Sequence, residues 1–250
     1  MGKRDSYMGF DIGGTGVKAA LIDTNRGTLL TEKMRELTPR PSDPKSVVKL
    51  VKQMLAQFKY KGPVGCGFPA IIHNGVAKTA ANIDKGWINV NIEELFSEYM
   101  GMPFYVANDA DVAGLAEVKF GKAKSDGTVI VLTIGTGIGS GMFLDGKLIP
   151  NTELGHLLYK DSIYERYVSS TARKKEDLSW EEWAERFNGY LLHLEKLFSP
   201  DLIVLGGGAS KKFNRYEHIL TLETKVVPAE YENDAGELGA AMYAEFRDTV

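Results

Sequence analysis

Two stretches of this chain, "FDIGGTGVKAALID" (10–23) and "LTIGTGIGSGMFLDG" (132–146), each read as a pair of short β-strands around a glycine-rich turn. Laid on one another, they match Phe10 with Leu132, Asp11 with Thr133, Ile12 with Ile134, and one Gly-Thr-Gly cluster with the other. A chain that repeats a hairpin in this way is constrained to start the same strand-turn-strand unit twice. Glycine turns leave consecutive N–H groups pointing outward, and such a nest traps anions such as phosphate oxygens. The candidates in the first copy are Gly13, Gly14, Thr15 and Gly16, with Asp11 at the strand end and Lys18 beyond the turn. In the second they are Thr133, Gly135, Thr136 and Gly137. Neither copy is a Gly-x-x-x-x-Gly-Lys-Ser/Thr loop or a Gly-x-Gly-x-x-Gly turn opening a helix. Two plain tight turns would give the same pattern, but a third cluster, Gly206 to Gly208 after the apolar run "DLIVL", favours a phosphate cradle built from facing hairpins.

Alternation predicts strands at 7–12, 17–23 and 28–37, then a helix capped by Ser42 or Asp43 with apolar residues from Val47 to Phe58 at helical spacing. A short buried strand in "KGPVGCGFP", a helix at 92–100, the strand "FYVAND" and a helix at 110–120 follow. Strands at 128–134 and 139–144, helices at 163–175 and 180–198, the strand "DLIVLGGG" and a final helix complete the α/β pattern. The expected division is a small lobe at 1–108 and a large lobe at 109–250, packed together, with the last helix, about 236–250, returning to the small lobe.

At 250 residues the chain can form two modest cores. A net charge of -3 gives no footprint for nucleic acid or an anionic membrane, so any anion-binding surface must be local. The single cysteine, Cys66, permits no internal disulfide and no cysteine-built zinc site. No apolar run approaches a membrane span, and the Met1-Gly2 pattern is too weak to predict lipidation, so a cytoplasmic enzyme or binding protein is expected.

The ordered segments "DIGGTGVKAALID", "ANDADVAGLAE", "TIGTGIGSGMFLDGKL", "ELGH" and "LIVLGGGAS" resemble the signature of the ROK family of sugar kinases, over nearly the whole chain. Within that family, "GFPAIIHNGVAKTAANIDKGWI", "SSTARKKEDLSW", "LGGGASKKF" and "VVPAEYENDAGELGAA" resemble the polyphosphate glucokinases. The resemblance implies a two-lobed actin-like, ribonuclease-H-like α/β fold of the ROK and hexokinase type, with the sugar in the cleft. It also implies phosphoryl transfer to the glucose 6-hydroxyl from inorganic polyphosphate or ATP, magnesium carried with the donor, and a homodimer. The nearer rival is a strictly ATP-dependent hexokinase of the same family. Sugar-responsive repressors of the family carry an N-terminal DNA-binding domain, which a first strand starting near residue 7 does not accommodate.

Site residues follow from the same resemblance. Asp109, delivered by "FYVAN" to a strand's C-terminal end, takes the role of general base, with Asn108 holding a sugar hydroxyl; the alternative is that Asp109 caps the next helix, the role expected of Asp111. Glu153 and His156 bond adjacent sugar hydroxyls, although Glu-x-x-His also suits a surface helix start. In most of the family the corresponding histidine ligates zinc beside three cysteines. Here "YKDSIYERYVSS" occupies that segment, so no structural zinc and no metal ligands are expected, while Glu165 aligns with the glutamate that follows those cysteines and contacts glucose in relatives. Asn82 is a sugar contact; Trp87 is either a sugar platform or core. Asp11, Lys18, both hairpin turns, Gly206, Gly207, Gly208 and Lys211 serve the donor, and Lys78, Lys85, Lys211 and Lys212 are either a polyanion track or scattered surface lysines.

Overall fold

The computed structural model describes residues 4–123, 127–231 and 234–249, so the Met1-Gly2 pattern lies outside it. Two compact units are present: Met1–Ala116 together with Asp234–Val250, and Glu117–Asn233.

The first unit opens with β1 (Ser6–Ile12) and β2 (Gly16–Asp23), antiparallel and in register from Ser6 opposite Asp23 to Ile12 opposite Val17. The expected third strand is two pieces, β3 (Thr28–Leu29) and β4 (Met34–Leu37), which pair with opposite ends of β2. Helix α1 (Pro44–Gln57) begins where Asp43 accepts the Ser46 N–H, with Pro44 at its first position where no N–H is needed. Then come β5 (Val64–Phe68), the small hairpin β6 (Ile72–His73) and β7 (Val76–Ala77), α2 (Ile92–Met100), β8 (Phe104–Asn108) and α3 (Asp109–Lys119), which starts one residue earlier than the pattern predicted. The sheet order is β3-β2-β1-β5-β8, with β1, β5 and β8 parallel.

β1 is buried on both faces, which is why it reads as a nearly continuous apolar run. Met8, Phe10 and Ile12 join Val64, Cys66 and Phe68 in a core closed by Val47 and Val51 of α1 and Phe96 of α2. The opposite face carries the smaller residues Gly9, Gly65 and Gly67. Against that face packs the helix 235–249. A Cβ on Gly65 would lie 1.7 Å from the Ala240 carbonyl oxygen, so only glycine admits the helix at this depth.

In the second unit, β9 (Thr128–Ile134) and β10 (Ile138–Leu144) form the second hairpin, extended by β11 (Lys147–Ile149). The minor pair β12 (Leu158–Tyr159) and β13 (Ser162–Ile163) follows. The helix expected at 163–175 is instead two, α4 (Glu165–Val168) and α5 (Ser170–Lys175), separated where Ser169 turns extended and caps α5 through its Oγ. Helix α6 (Trp180–Phe198) carries a reciprocal Ser179–Glu182 capping box and buries Trp183, Phe187, Tyr190 and Leu194 against Ile130, Leu132, Ile203 and Leu205. β14 (Leu202–Gly206), α7 (Gly207–Ser210), the unanticipated strand β15 (Lys225–Pro228) and finally α8 (Ala235–Thr249) complete the chain. The order β11-β10-β9-β14-β15 repeats that of the first sheet, including the antiparallel hairpin and the parallel strands beside it. The repeat seen in two short sequences is therefore a repeat of whole sheets.

Candidate active site

In the first unit, the 13–16 turn is closed by Gly13 N–H donating to the Gly16 carbonyl at 2.9 Å, with Thr15 exposed at its tip. Two residues that sequence reasoning passed over fix it by its carbonyls: Thr38 Oγ1 donates to Gly13 O at 2.6 Å and Arg40 to Gly14 O at 3.2 Å. Asn82 adjoins this turn, since a Cβ on Gly14 would meet the Asn82 carbonyl oxygen at 2.3 Å. The Asn82 side chain is exposed, as are Lys78 and Lys85, while Trp87 is core: fully buried, its indole N–H donating to Ser42 O at 2.8 Å.

Below the turn, Lys18 Nζ donates to Asp11 Oδ2 at 3.0 Å, a cross-strand pair set by the register of β1 and β2. Burial pushes the Lys18 ammonium down, but the carboxylates of Asp11 and Glu237 outweigh it, so Lys18 sits above the ordinary lysine range. Glu237, from the first turn of α8, is fully buried, and among the described residues neither carboxylate oxygen finds a hydrogen-bond partner. Lys33 Nζ lies 3.6 Å from Glu237 Oε1 and also pairs with Asp234. Burial raises the Glu237 carboxyl, opposed by Lys18 and Lys33. The run "AGELGAA" hid this role, because Glu237 stands there as one acid in a helix of small residues.

Asn108 ends β8 as the residue that caps α3. Its Oδ1 accepts the N–H groups of Ala110 at 2.8 Å and Asp111 at 3.3 Å, and its Nδ2 donates to Ala70 O at 3.1 Å. Cap duty therefore falls on Asn108 rather than on Asp111, which is buried in α3. Asp109 is partly exposed, with Oδ1 accepting the Ala110 N–H at 2.9 Å.

The second unit brings Glu153, His156 and Glu165 together. His156 Nδ1 lies 3.5 Å from Glu153 Oε2, and Nε2 lies 3.7 Å from Glu165 Oε1, so the imidazole stands between two carboxylates. Burial raises the Glu153 carboxyl, with the His156 charge opposing and Glu165 adding to the shift. Glu165 also reaches the second glycine turn, its Oε2 accepting the Ile138 N–H at 3.0 Å. That turn is one residue tighter than the first: Gly135 N–H donates to the Gly137 carbonyl, and Thr136 is exposed at the tip. The third cluster joins the same place, with Gly206 opposite Thr133 and Gly207 bridging to Ile134. Gly207 has φ +77°, and a Cβ there would lie 2.5 Å from Ile134 O.

Ser140, missed in the sequence because it sits inside "GSG", anchors the loop that carries Glu153: its Oγ donates to Thr152 O and accepts the Leu154 N–H at 3.0 Å. Glu165 is anchored by its neighbour. Tyr164 stacks on Tyr159 at 4.2 Å between centroids, packs on Tyr190 at 4.9 Å, and places its hydroxyl 3.1 Å from His193 Nδ1. An aromatic cluster thus fills the segment "YKDSIYERYVSS". Among the described residues, no group of three or more His, Cys, Asp or Glu has the arrangement of a metal site, and no helix is long and apolar enough to cross a membrane.

Twin hairpin-led sheets of this order, each ending in parallel strands, define an α/β fold of the actin-like ATPase type. The ROK family model matches residues 7–171, and the chain belongs to that family. It is 40% identical over 245 residues to a polyphosphate glucokinase of Mycobacterium tuberculosis, covering 97% of this chain and 92% of the other. The crystal structure of an inorganic polyphosphate/ATP-glucomannokinase from Arthrobacter sp. strain KM superimposes with a TM-score of 0.91 at 44% identity, covering 98% of this chain and 100% of that one. A ROK family glucokinase from Streptomyces griseus, crystallised with glucose and AMPPNP, shares the fold with a TM-score of 0.81 at 24% identity, over 96% and 99% of the two chains.

Proposed function

We propose that this protein transfers the terminal phosphoryl group of inorganic polyphosphate, with ATP as a second donor, to the 6-hydroxyl of glucose. The observation that carries the reading is the Glu153–His156–Glu165 trio, bonded through Ile138 N–H to a glycine turn. Carboxylates flanking an imidazole suit vicinal hydroxyls, each of which donates and accepts, and the turn suits a phosphate. The names of the relatives support the same chemistry.

In this reading Asp109 accepts the 6-hydroxyl proton as that oxygen attacks the terminal phosphorus. The bond from phosphorus to the bridging oxygen breaks, releasing glucose 6-phosphate and a donor shorter by one phosphate. Glu153, His156, Glu165 and Asn82 hold sugar hydroxyls. Asn108 positions Asp109 and the start of α3, with one amide hydrogen left for the sugar. Both glycine turns, Gly206 to Gly208 and Lys211 take the donor, and charge neutralisation with positioning supplies most of the acceleration. A dispersed set of acids suits magnesium that arrives with the donor, since this ion is held through one or two carboxylates and keeps several waters. Asp11, partly exposed below the first turn, is the residue that would hold it, and bound magnesium would offset charge on the phosphates. We further read the protein as a cytoplasmic homodimer.

The test is glucose 6-phosphate formation with purified polyphosphate, with ATP, and with each component omitted in turn. Product with polyphosphate alone is expected; product with ATP only would overturn the polyphosphate reading and leave the hexokinase rival.

A further inference from the structure

The connector between β4 and α1 is bonded at one end to the first glycine turn and at the other to the loop that carries Asn82. At the turn, the Thr38 N–H donates to Thr15 O at 3.3 Å, Thr38 Oγ1 to Gly13 O at 2.6 Å and the Arg40 guanidinium to Gly14 O at 3.2 Å. At the loop, Ser42 Oγ accepts the Asp84 N–H at 3.1 Å, and Ser42 O accepts the Trp87 indole N–H at 2.8 Å. Thr38 and Ser42 are both buried. Between them, Pro39 and Pro41 fix φ through their rings, which makes the connector a short, stiff strap.

The loop end is held as firmly as the turn end. Asp84 Oδ1 accepts the Gly86 N–H at 2.7 Å and caps a single helical turn, Lys85–Trp87. Trp87 packs edge-on against Phe68 and Phe96, at 4.8 and 6.1 Å between ring centroids, and Ile83 is buried in the same core. Asn82 is exposed, with its carbonyl against Gly14. Turn and loop therefore meet at the surface through Gly14 and Asn82, and behind it through Thr38 and Ser42. Moving one without the other would leave a buried hydroxyl or N–H unpaired, which is costly. Joining a strand to a helix requires the Asp43 cap, but not bonds from the same six residues to two separate segments.

We propose that the Thr38–Ser42 strap couples the two substrates. A sugar held at Asn82 fixes the loop, the strap carries that order to the carbonyls of Gly13 and Gly14, and the turn then takes donor phosphate with less conformational freedom left to lose. Thr38 and Ser42 are positioning residues that act through the turn and the loop. The inference rests on the assignment above of sugar to Asn82 and of donor to the first turn. Linkage makes the coupling reciprocal, so sugar tightens donor by the factor by which donor tightens sugar.

The test uses 6-deoxyglucose, which lacks the accepting oxygen and so permits equilibrium binding without turnover. Polyphosphate of fixed length, and separately ATP, is titrated with magnesium by calorimetry in the absence and presence of saturating 6-deoxyglucose. In the wild type the sugar analogue is expected to tighten the donor about fivefold or more, the range of ordinary coupling between sites. Ser42→Ala and Thr38→Val are each expected to reduce that factor below about twofold, while Thr38→Ser, which keeps the hydroxyl, retains it. The Thr38 pair carries the test if Ser42→Ala does not fold. Variants that melt earlier yet keep the full factor overturn the strap, since their hydroxyls would then serve the fold alone, and so does a wild type in which the analogue leaves donor affinity unchanged. A wild type that forms no glucose 6-phosphate from glucose with either donor would overturn the proposed function instead.

Discussion

The Glu165 carboxylate accepts the Ile138 N–H at 3.0 Å, joining the residue that faces His156 to the backbone of the second glycine turn. One side chain thereby links the Glu153–His156–Glu165 group to the turn, and the proposed sugar and donor roles can be separated by varying it. Glu165→Gln keeps an oxygen for Ile138 but loses the charge beside His156. It is expected to raise the glucose KM about tenfold or more, the worth of a charge-assisted hydrogen bond, with the donor KM within about twofold. Glu165→Ala leaves Ile138 N–H without its partner and is expected to raise both. Steady-state kinetics with each substrate varied decides it; a Gln variant that alters only the donor KM would contradict the sugar role.

Asp109 gives one oxygen to the Ala110 N–H, a bond that asparagine can also make. Asp109→Asn should therefore fold normally and bind glucose within a few-fold, while turnover falls by roughly 10² or more through loss of the proton acceptor. Near-normal turnover would remove the base assignment and leave Asp109 as part of the helix start.

Close packing of α8 makes a stability prediction. A Cβ on Gly65 would lie 1.7 Å from Ala240 O, and one on Gly239 would lie 1.6 Å from Val112 O, both against backbone that cannot rotate away. Gly65→Ala and Gly239→Ala are each expected to cost about 1–3 kcal/mol or more, as overpacking does. Urea midpoints report this, and unchanged midpoints would mean that α8 slides without penalty.

Glu237 makes a prediction about pH. Burial raises its carboxyl in the folded protein, so the folded state holds this proton more tightly than the unfolded chain, where glutamate titrates near 4.3. Stability from this group is greatest below that value, falls as pH rises through the folded value, and stays lost above it. Glu237→Gln should flatten that fall, so the difference in melting temperature between variant and wild type moves in the variant's favour from pH 4 to pH 8. Parallel profiles would show that Lys18 and Lys33 compensate the buried charge fully.

The sequence displayed the hairpins because glycine, threonine and alternating apolar residues are local signals, and β1, β2, β9 and β10 lie within a residue or so of the expected limits. α6 was equally plain from its 3.6-residue aromatic spacing. What failed depended on pairing and contacts rather than on local pattern. The break at 30–33 reflects pairing of both flanks with β2, and Ser169 divides the 163–175 helix where α5 meets the second turn. β15 lies in a stretch whose strand character comes from its parallel pairing with β14. Among candidate site residues, Glu153, His156 and Glu165, which the structure brings together, could be named by resemblance, whereas their supports, Ser140 and Tyr164, could not, because a hydroxyl inside a glycine run and a tyrosine beside an acid look the same whether or not they hold anything.

The helix that completes the first sheet is separated from it in the chain by the whole of Glu117–Asn233. At about 5 to 20 residues per second, a ribosome spends several seconds or more on that interval. During that time the glycine-lined face of β1 and β5 waits without its cover, so the earlier-made unit is the later one to mature.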